Sequence, residues 1–212
     1  MVVILIILLM LAIMIGVEML WRRKLIKGEY GRKLLHVTLT VFVATWPFYL
    51  PWDAIQFLSL GAVGFAVLMR LTYTFHSLYD VKRKSLGDLI GPATIAVLAF
   101  MQPDPWVFAA AVLHIALADG LAAVVGTRYG AKNTYFIFGQ RKSIAGTLTF
   151  VIVSAAIIVW LMLISPLTFT SDVWLGLIWL PFMAALAENI SPYGFDNLTI
   201  GLLVTVSLNA LT

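Results

Sequence analysis

The 212-residue sequence predicts an all-α, polytopic membrane protein of about eight helices, on three observations. Hydrophobic residues make up 62% of the chain and charged residues 11%, with a mean hydropathy of +1.00, too apolar for a domain that must present a wet surface. The apolar residues fall in blocks close to the roughly 20 a helix needs to cross the hydrocarbon core, rather than in alternating strand patterns. All 14 Lys and Arg fall in three alternate loops between those blocks.

The spans expected in order are Val2–Leu20, Leu34–Leu50, Ala54–Leu71, Leu89–Met101, Trp106–Val125, Ile144–Ile164, Val173–Ala187 and Leu198–Leu211. The first has no basic residue before it and a cluster after it, the reverse of a secretory signal, so it reads as a retained anchor. Leu89–Met101 is short and holds Gly91 and Pro92, so a broken or re-entrant segment there reduces the crossings to seven. Loop one carries Arg22, Arg23, Lys24, Lys27, Arg32 and Lys33; loop three Arg70, Lys82, Arg83 and Lys84; loop five Arg128, Lys132, Arg141 and Lys142. The even loops hold only Asp53, Asp104 and Asp172, so the positive-inside bias puts the odd loops in the cytoplasm and the N-terminus outside. The net charge of +4 therefore belongs beside anionic headgroups and gives no reason to expect a nucleic-acid partner. Zero cysteines exclude disulfides and thiol catalysis. No linker or second domain interrupts the chain, which reads as one domain, 1–212.

A carboxylate within a span is expensive unless it is paired, hydrated or bound to a cation, so Asp119 needs a reason to be there. A hydrated Asp bonding a neighbouring helix is one; a metal or phosphate site is the other. Ala122, Ala123, Gly126 and Gly130 follow as a small-residue stripe that admits a second backbone or a nucleotide. In Gly139-Gln140-Arg141-Lys142-Ser143-Ile144-Ala145-Gly146-Thr147, cations and hydroxyls meet a helix start, where free N–H groups suit phosphate. Read alone, that segment is a basic flank with Ser143 as N-cap. Glu188 and Asp196 flank a turn with Asn197 following, and these oxygens suit Mg²⁺; a solvated polar loop is the plainer reading. Arg32 and His36 share a helix face at i, i+4, and a rim His can orient phosphate or act as acid/base. Asp88 is placed to cap the short fourth span, and His76 and His114 read as structural. The topology maps Arg32, Lys33, His36, Asp88, Asp119, Arg141, Lys142, Ser143, Glu188 and Asp196 to one cytoplasmic edge. Cations and acids gathered there fit a Mg²⁺–polyphosphate site beside lipid.

In these residues the sequence resembles the polyprenol kinase family, which includes dolichol, phytol and farnesol kinases and the CTP-dependent diacylglycerol kinase. The matching pieces are Arg32-Lys33-x-x-His36, Asp119-Gly120-x-Ala122-Ala123-x-x-Gly126-x-x-x-Gly130, Lys142-Ser143-x-x-Gly146-Thr147, and Glu188 followed by Asp196-Asn197. The resemblance implies transfer of the γ-phosphoryl of CTP, or of UTP in some members, to an isoprenoid alcohol, with residues 115–147 as the nucleotide-binding segment. It further implies that Lys142 and Arg141 neutralise phosphate while Asp119, Glu188 and Asp196 hold Mg²⁺ or orient the hydroxyl.

Two rivals stand beside it. A CTP-dependent lipid cytidylyltransferase shares the look of the Asp119–Thr147 stretch, but its C-terminal signature has no match near Glu188–Asn197. A transporter would use Asp119 for ion coupling, yet transporter sites belong near the midplane.

Overall fold

The structure, a computed structural model, describes residues 2–26, 28–72, 86–170 and 173–212. Lys27, the basic residues Lys82, Arg83 and Lys84, and His76 and Asp172 lie outside the described residues.

Each of the eight expected apolar blocks is helical. They form α1 (Val2–Arg22), α2 (Gly28–Ala44), α3 (Trp52–Thr72), α4 (Gly87–Met101), a long rod, α7 (Ile144–Ile164), α8 (Val173–Ile190) and α9 (Asp196–Leu211). The rod consists of α5 (Pro105–Leu113), a π-helical segment (His114–Ala118) and α6 (Asp119–Tyr129), and it runs on to Lys132. Its start is locally encoded: Pro105 occupies the first turn, and the Asp104 side chain accepts the Trp106 N–H at 2.8 Å, satisfying a donor the helix itself leaves orphaned. Four of these helices are long and apolar enough to cross a membrane: Val2–Arg22, Trp52–Thr72, Pro105–Lys132 and Ile144–Ile164. Three shorter apolar helices, Gly87–Met101, Ile178–Ile190 and Asp196–Leu211, accompany them. The protein is a helical membrane protein.

The rod is the axis of the fold. Val107, Phe108, Ala110, Ala111, Val112, Ala116 and Ala118 are fully buried, and α2, α7 and α9 pack on them. Small side chains let these helices approach closely, the main source of helix association where no hydrophobic drive exists. α1 packs on α2 and α3 on α4, so the first four helices form two pairs at the side of the rod.

The all-α expectation needs one correction. Between α6 and α7 the chain forms an antiparallel hairpin of β1 (Thr134–Ile137) and β2 (Gln140–Ser143), pairing Thr134 with Ser143 and Tyr135 with Lys142. The turn residues Phe138 and Gly139 have φ of 46° and 75°, the two positive values that match a tight hairpin's twist. Asp88 does not cap α4; it accepts from Arg70 at 2.9 and 3.2 Å, tying α3 to α4.

Candidate active site

The site begins where the rod changes its winding. A π-helical segment shifts the backbone hydrogen-bond register and leaves carbonyls available to side chains. Here His36 of α2 donates its Nε2–H to the Ile115 carbonyl at 3.1 Å, and Asp119 follows directly. Asp119 is 6% exposed and accepts from Lys33 Nζ at 2.5 Å, with His36 Nε2 3.9 Å away. Its depth is thus reconciled by a buried ion pair between two helices. The chain approaches closely here because Gly120 has no side chain; a Cβ would overlap Val37.

The hairpin supplies the second ion pair. Tyr135 and Lys142 are cross-strand partners and so project from the same face. Lys142 Nζ donates to Glu188 Oε1 at 2.5 Å and to the Glu188 carbonyl at 3.0 Å. Tyr135 donates to Asn189 Oδ1 at 2.7 Å and its hydroxyl meets that of Thr147, while Asn189 Nδ2 donates to the Ala185 carbonyl at 2.8 Å. One network therefore joins hairpin, α7 and the end of α8.

Ser143 caps α7, accepting the Gly146 N–H at 3.1 Å, and the Ile144 N–H donates to the Asn133 carbonyl at 3.0 Å. Two of the donors expected to be open at this helix start are therefore already used. Gly126, Gly130 and Gly146 surround Ser143: a Cβ on Gly130 would overlap the serine, and one on Gly146 would sit 3.0 Å from the Ala122 carbonyl. In this arrangement the stripe brings α6 and α7 backbones together beside the cavity.

The third carboxylate comes from the turn between α8 and α9. Tyr193 and Gly194 take φ of 56° and 100°, and a Cβ on Gly194 would strike the Gly87 backbone. The Tyr193 carbonyl accepts the Leu86 N–H at 2.7 Å, docking the turn on the start of α4 and placing Asp196 and Asn197 at the head of α9. One carboxylate oxygen from each of Asp119, Glu188 and Asp196 lies within 4.8 Å of the others. Among the described residues Asp196 is in no ion pair, and the buried Asn197 Oδ1 has no hydrogen-bond partner. Three acidic oxygens form a donor set that suits a small hard cation, the charges of Lys33 and Lys142 offsetting two of the acids.

The residues assigned to the site from sequence line one cavity of about 1240 Å³: Arg32, Lys33, His36, Asp88, Asp119, Gly126, Gly130, Arg141, Lys142, Ser143, Gly146, Thr147, Glu188, Asp196 and Asn197. That volume exceeds the ~300–1,000 Å³ of an ordinary small-molecule site. Arg141 is exposed at its mouth, whereas Lys33 is buried. His114 lies off the cavity, its Nδ1–H donating to the Ala110 carbonyl at 2.7 Å and its Nε2 accepting from Ser154 at 2.9 Å. Sequence reasoning missed Tyr135 and Asn189. It also placed Glu188 on a polar turn after its span, whereas Glu188 sits in the last turn of α8 and pairs with Lys142. No local pattern announces those partners; the alternation and Phe138-Gly139 turn of the hairpin were the available signal.

A polar centre at one end of a large cavity, enclosed by apolar helices, defines a membrane-embedded enzyme. A phytol kinase from Synechocystis sp. (strain ATCC 27184 / PCC 6803 / Kazusa) is 34% identical over 195 residues, which cover 90% of this chain and 83% of the relative. No family model matches the chain. No solved structure matches it either. The chain belongs to the polyprenol kinase family that includes phytol kinase. It is a lipid kinase, a transferase that takes a phosphoryl group from a nucleotide to a lipid alcohol of the prenol type.

Proposed function

We propose that this protein transfers the γ-phosphoryl group of CTP to the hydroxyl of an isoprenoid alcohol, with Mg²⁺ required and phytol or geranylgeraniol as acceptor. The observation carrying this reading is the Asp119–Glu188–Asp196 cluster, flanked by Lys33 and Lys142, in a cavity that continues into a largely apolar arm between the α1–α2 and α3–α4 pairs. The relative's activity on phytol supports the acceptor class. UTP is the alternative donor.

Asp119, Glu188 and Asp196 would hold Mg²⁺, which when bound neutralises phosphate charge and leaves the γ-phosphorus open to attack, with Asn197 beside them on the nucleotide side. Lys33 and Lys142 lie at hydrogen-bond distance from two of these acids, positions from which their ammonium groups turn to phosphate oxygens. Arg32 and Arg141 add charge at the cavity wall. Ser143, Gly126, Gly130, Gly146 and Thr147 shape the nucleotide-facing wall, making 115–147 the nucleotide segment of a single domain, 1–212. The prenol oxygen forms its bond to the γ-phosphorus as the bond to the β–γ bridging oxygen breaks. The hydroxyl proton passes to a carboxylate of the cluster, and CDP and a prenyl monophosphate leave. His36, bonded to the rod backbone, holds α2 so that Lys33 meets Asp119. The clustering of basic residues in alternate loops supports a cytoplasmic site on a chain of about eight crossings with its N-terminus outside.

The test is purified protein with prenols, Mg²⁺ and CTP labelled at the γ or the α position. Label from γ in lipid is the expected result, with loss of transfer on chelation by EDTA and recovery on adding Mg²⁺. Label from α instead would establish the cytidylyltransferase reading, and no transfer from any nucleotide would end both.

A further inference from the structure

The polar cluster occupies only one end of the cavity. The rest runs between the α1–α2 pair and the α3–α4 pair, past Met14, Leu39, Phe65 and Met10, to Val43 and Trp46. Trp46 is 1% exposed, sits just beyond the end of α2 and is braced edge-on by Phe42 with ring centroids 6.1 Å apart. It closes the arm with the largest side chain available, on a short 3₁₀ turn stiffened by Pro47.

We infer that Trp46 is the floor of a prenyl-chain arm and sets the longest alcohol the protein accepts at about four isoprene units. This rests on the alcohol-kinase reading above. The depth follows from α2, which carries Lys33 near its start and leads directly into the 3₁₀ turn that holds Trp46. Lys33 marks the polar cluster and Trp46 the floor, 13 positions apart, so at 1.5 Å per residue the arm is roughly 20 Å deep. An extended carbon chain with 1.52 Å bonds and angles near 111° advances roughly 1.25 Å per bond. Roughly sixteen main-chain carbons therefore span the arm, and each isoprene unit contributes four. A fifth unit would have to pass through the indole. Met10 and Met14 on the wall are unbranched and adaptable, a lining that conforms to a methyl-branched chain without demanding one shape.

The test is a length series, prenols of two to eight isoprene units, presented in phosphatidylcholine vesicles to wild type, Trp46→Ala and Ala62→Phe. Ala62 lines the arm from α3, so a phenylalanine there blocks it part-way. For the wild type, kcat/KM should fall at least tenfold between four and six units. In Trp46→Ala the six-to-four-unit ratio should rise at least tenfold, and in Ala62→Phe the limit should drop below four units. Binding of the same series, measured by thermal shift in parallel, should break at the same lengths. A flat wild-type profile from four to eight units overturns the inference, as does an unchanged profile in folded Trp46→Ala. If that variant does not fold, Ala62→Phe decides: a lowered limit supports the arm, an unmoved one removes it. Length-dependent binding without phosphorylation of any alcohol would instead count against the kinase reading and leave the arm intact.

Discussion

The rod and α7 have nearly the same hydropathy and opposite surroundings. Their most apolar windows average 2.0 and 2.6, yet 72% of the rod's window is buried inside the protein and only 28% of that of α7. The difference is side-chain size. The rod presents Ala109, Ala110, Ala111, Ala116, Ala118, Gly120 and Ala122, whereas α7 turns Leu148, Ile152, Val159 and Leu163 outward. Against lipid, large side chains suffice; against other helices, small ones admit backbones to van der Waals distance. A helix shielded in this way can carry polar groups at depth, because its neighbours bring the partners. Asp119 and His114 are both on the rod, and each is met by a residue from another helix.

The strongest way to break this comparison is Asp119→Asn. It removes a cluster oxygen charge and leaves Lys33 buried without its counter-ion. Turnover should fall by at least about 10³-fold, the scale seen when a reaction-centre carboxylate is lost. Stability should fall too, because stripping one partner from a buried pair costs about 3–5 kcal/mol. Both are read from γ-label transfer and thermal unfolding in detergent, and near wild-type turnover would remove Asp119 from the chemistry. Lys142→Ala comes next: about 10²-fold in kcat/KM, the scale of losing one charge-stabilising group, with the nucleotide KM rising. An unchanged KM would show that Lys142 serves only Glu188.

Glycines sharpen the comparison by sign. A Cβ on Gly120 would overlap Val37, whereas Gly61 on α3 faces open space. Gly120→Ala should push α2 off the rod, costing about 1–3 kcal/mol and several-fold in activity. Gly61→Ala should raise stability by up to about 1 kcal/mol through helix propensity alone. Paired melting curves check both, and equal effects would mean the rod is no more tightly packed than α3.

Much of this was legible from residue patterns. Apolar block length located the long helices among the described residues, and the alternation of basic loops gathered Lys33, Asp119, Lys142, Glu188 and Asp196 at one end. The pairings within that group were not legible, because Lys33–Asp119 and Lys142–Glu188 join residues 86 and 46 positions apart, and only tertiary packing selects which cation meets which acid. The hairpin was hidden by its company: Thr134–Ser143 is short and lies beside helices long enough to dominate any apolar count. The spacing of Gly126 and Gly130 admits a second backbone or a nucleotide alike, and it does not single out the room that these two and Gly146 give Ser143.

The smallest effect on turnover is expected at Ser154→Ala, and it isolates what burial does from what the site does. Ser154 and His114 are both 0% exposed, and the serine hydroxyl donates to His114 Nε2 at 2.9 Å. Deleting it orphans a buried acceptor, which costs about 1–3 kcal/mol. The cavity is untouched, since neither residue lines it. A lowered melting temperature with kcat and both KM values within about twofold of wild type is the expected outcome. A loss of turnover comparable to that of Lys142→Ala would mean that the π-helical segment transmits the His114 environment to Asp119, and that the rod's polar groups act as one unit.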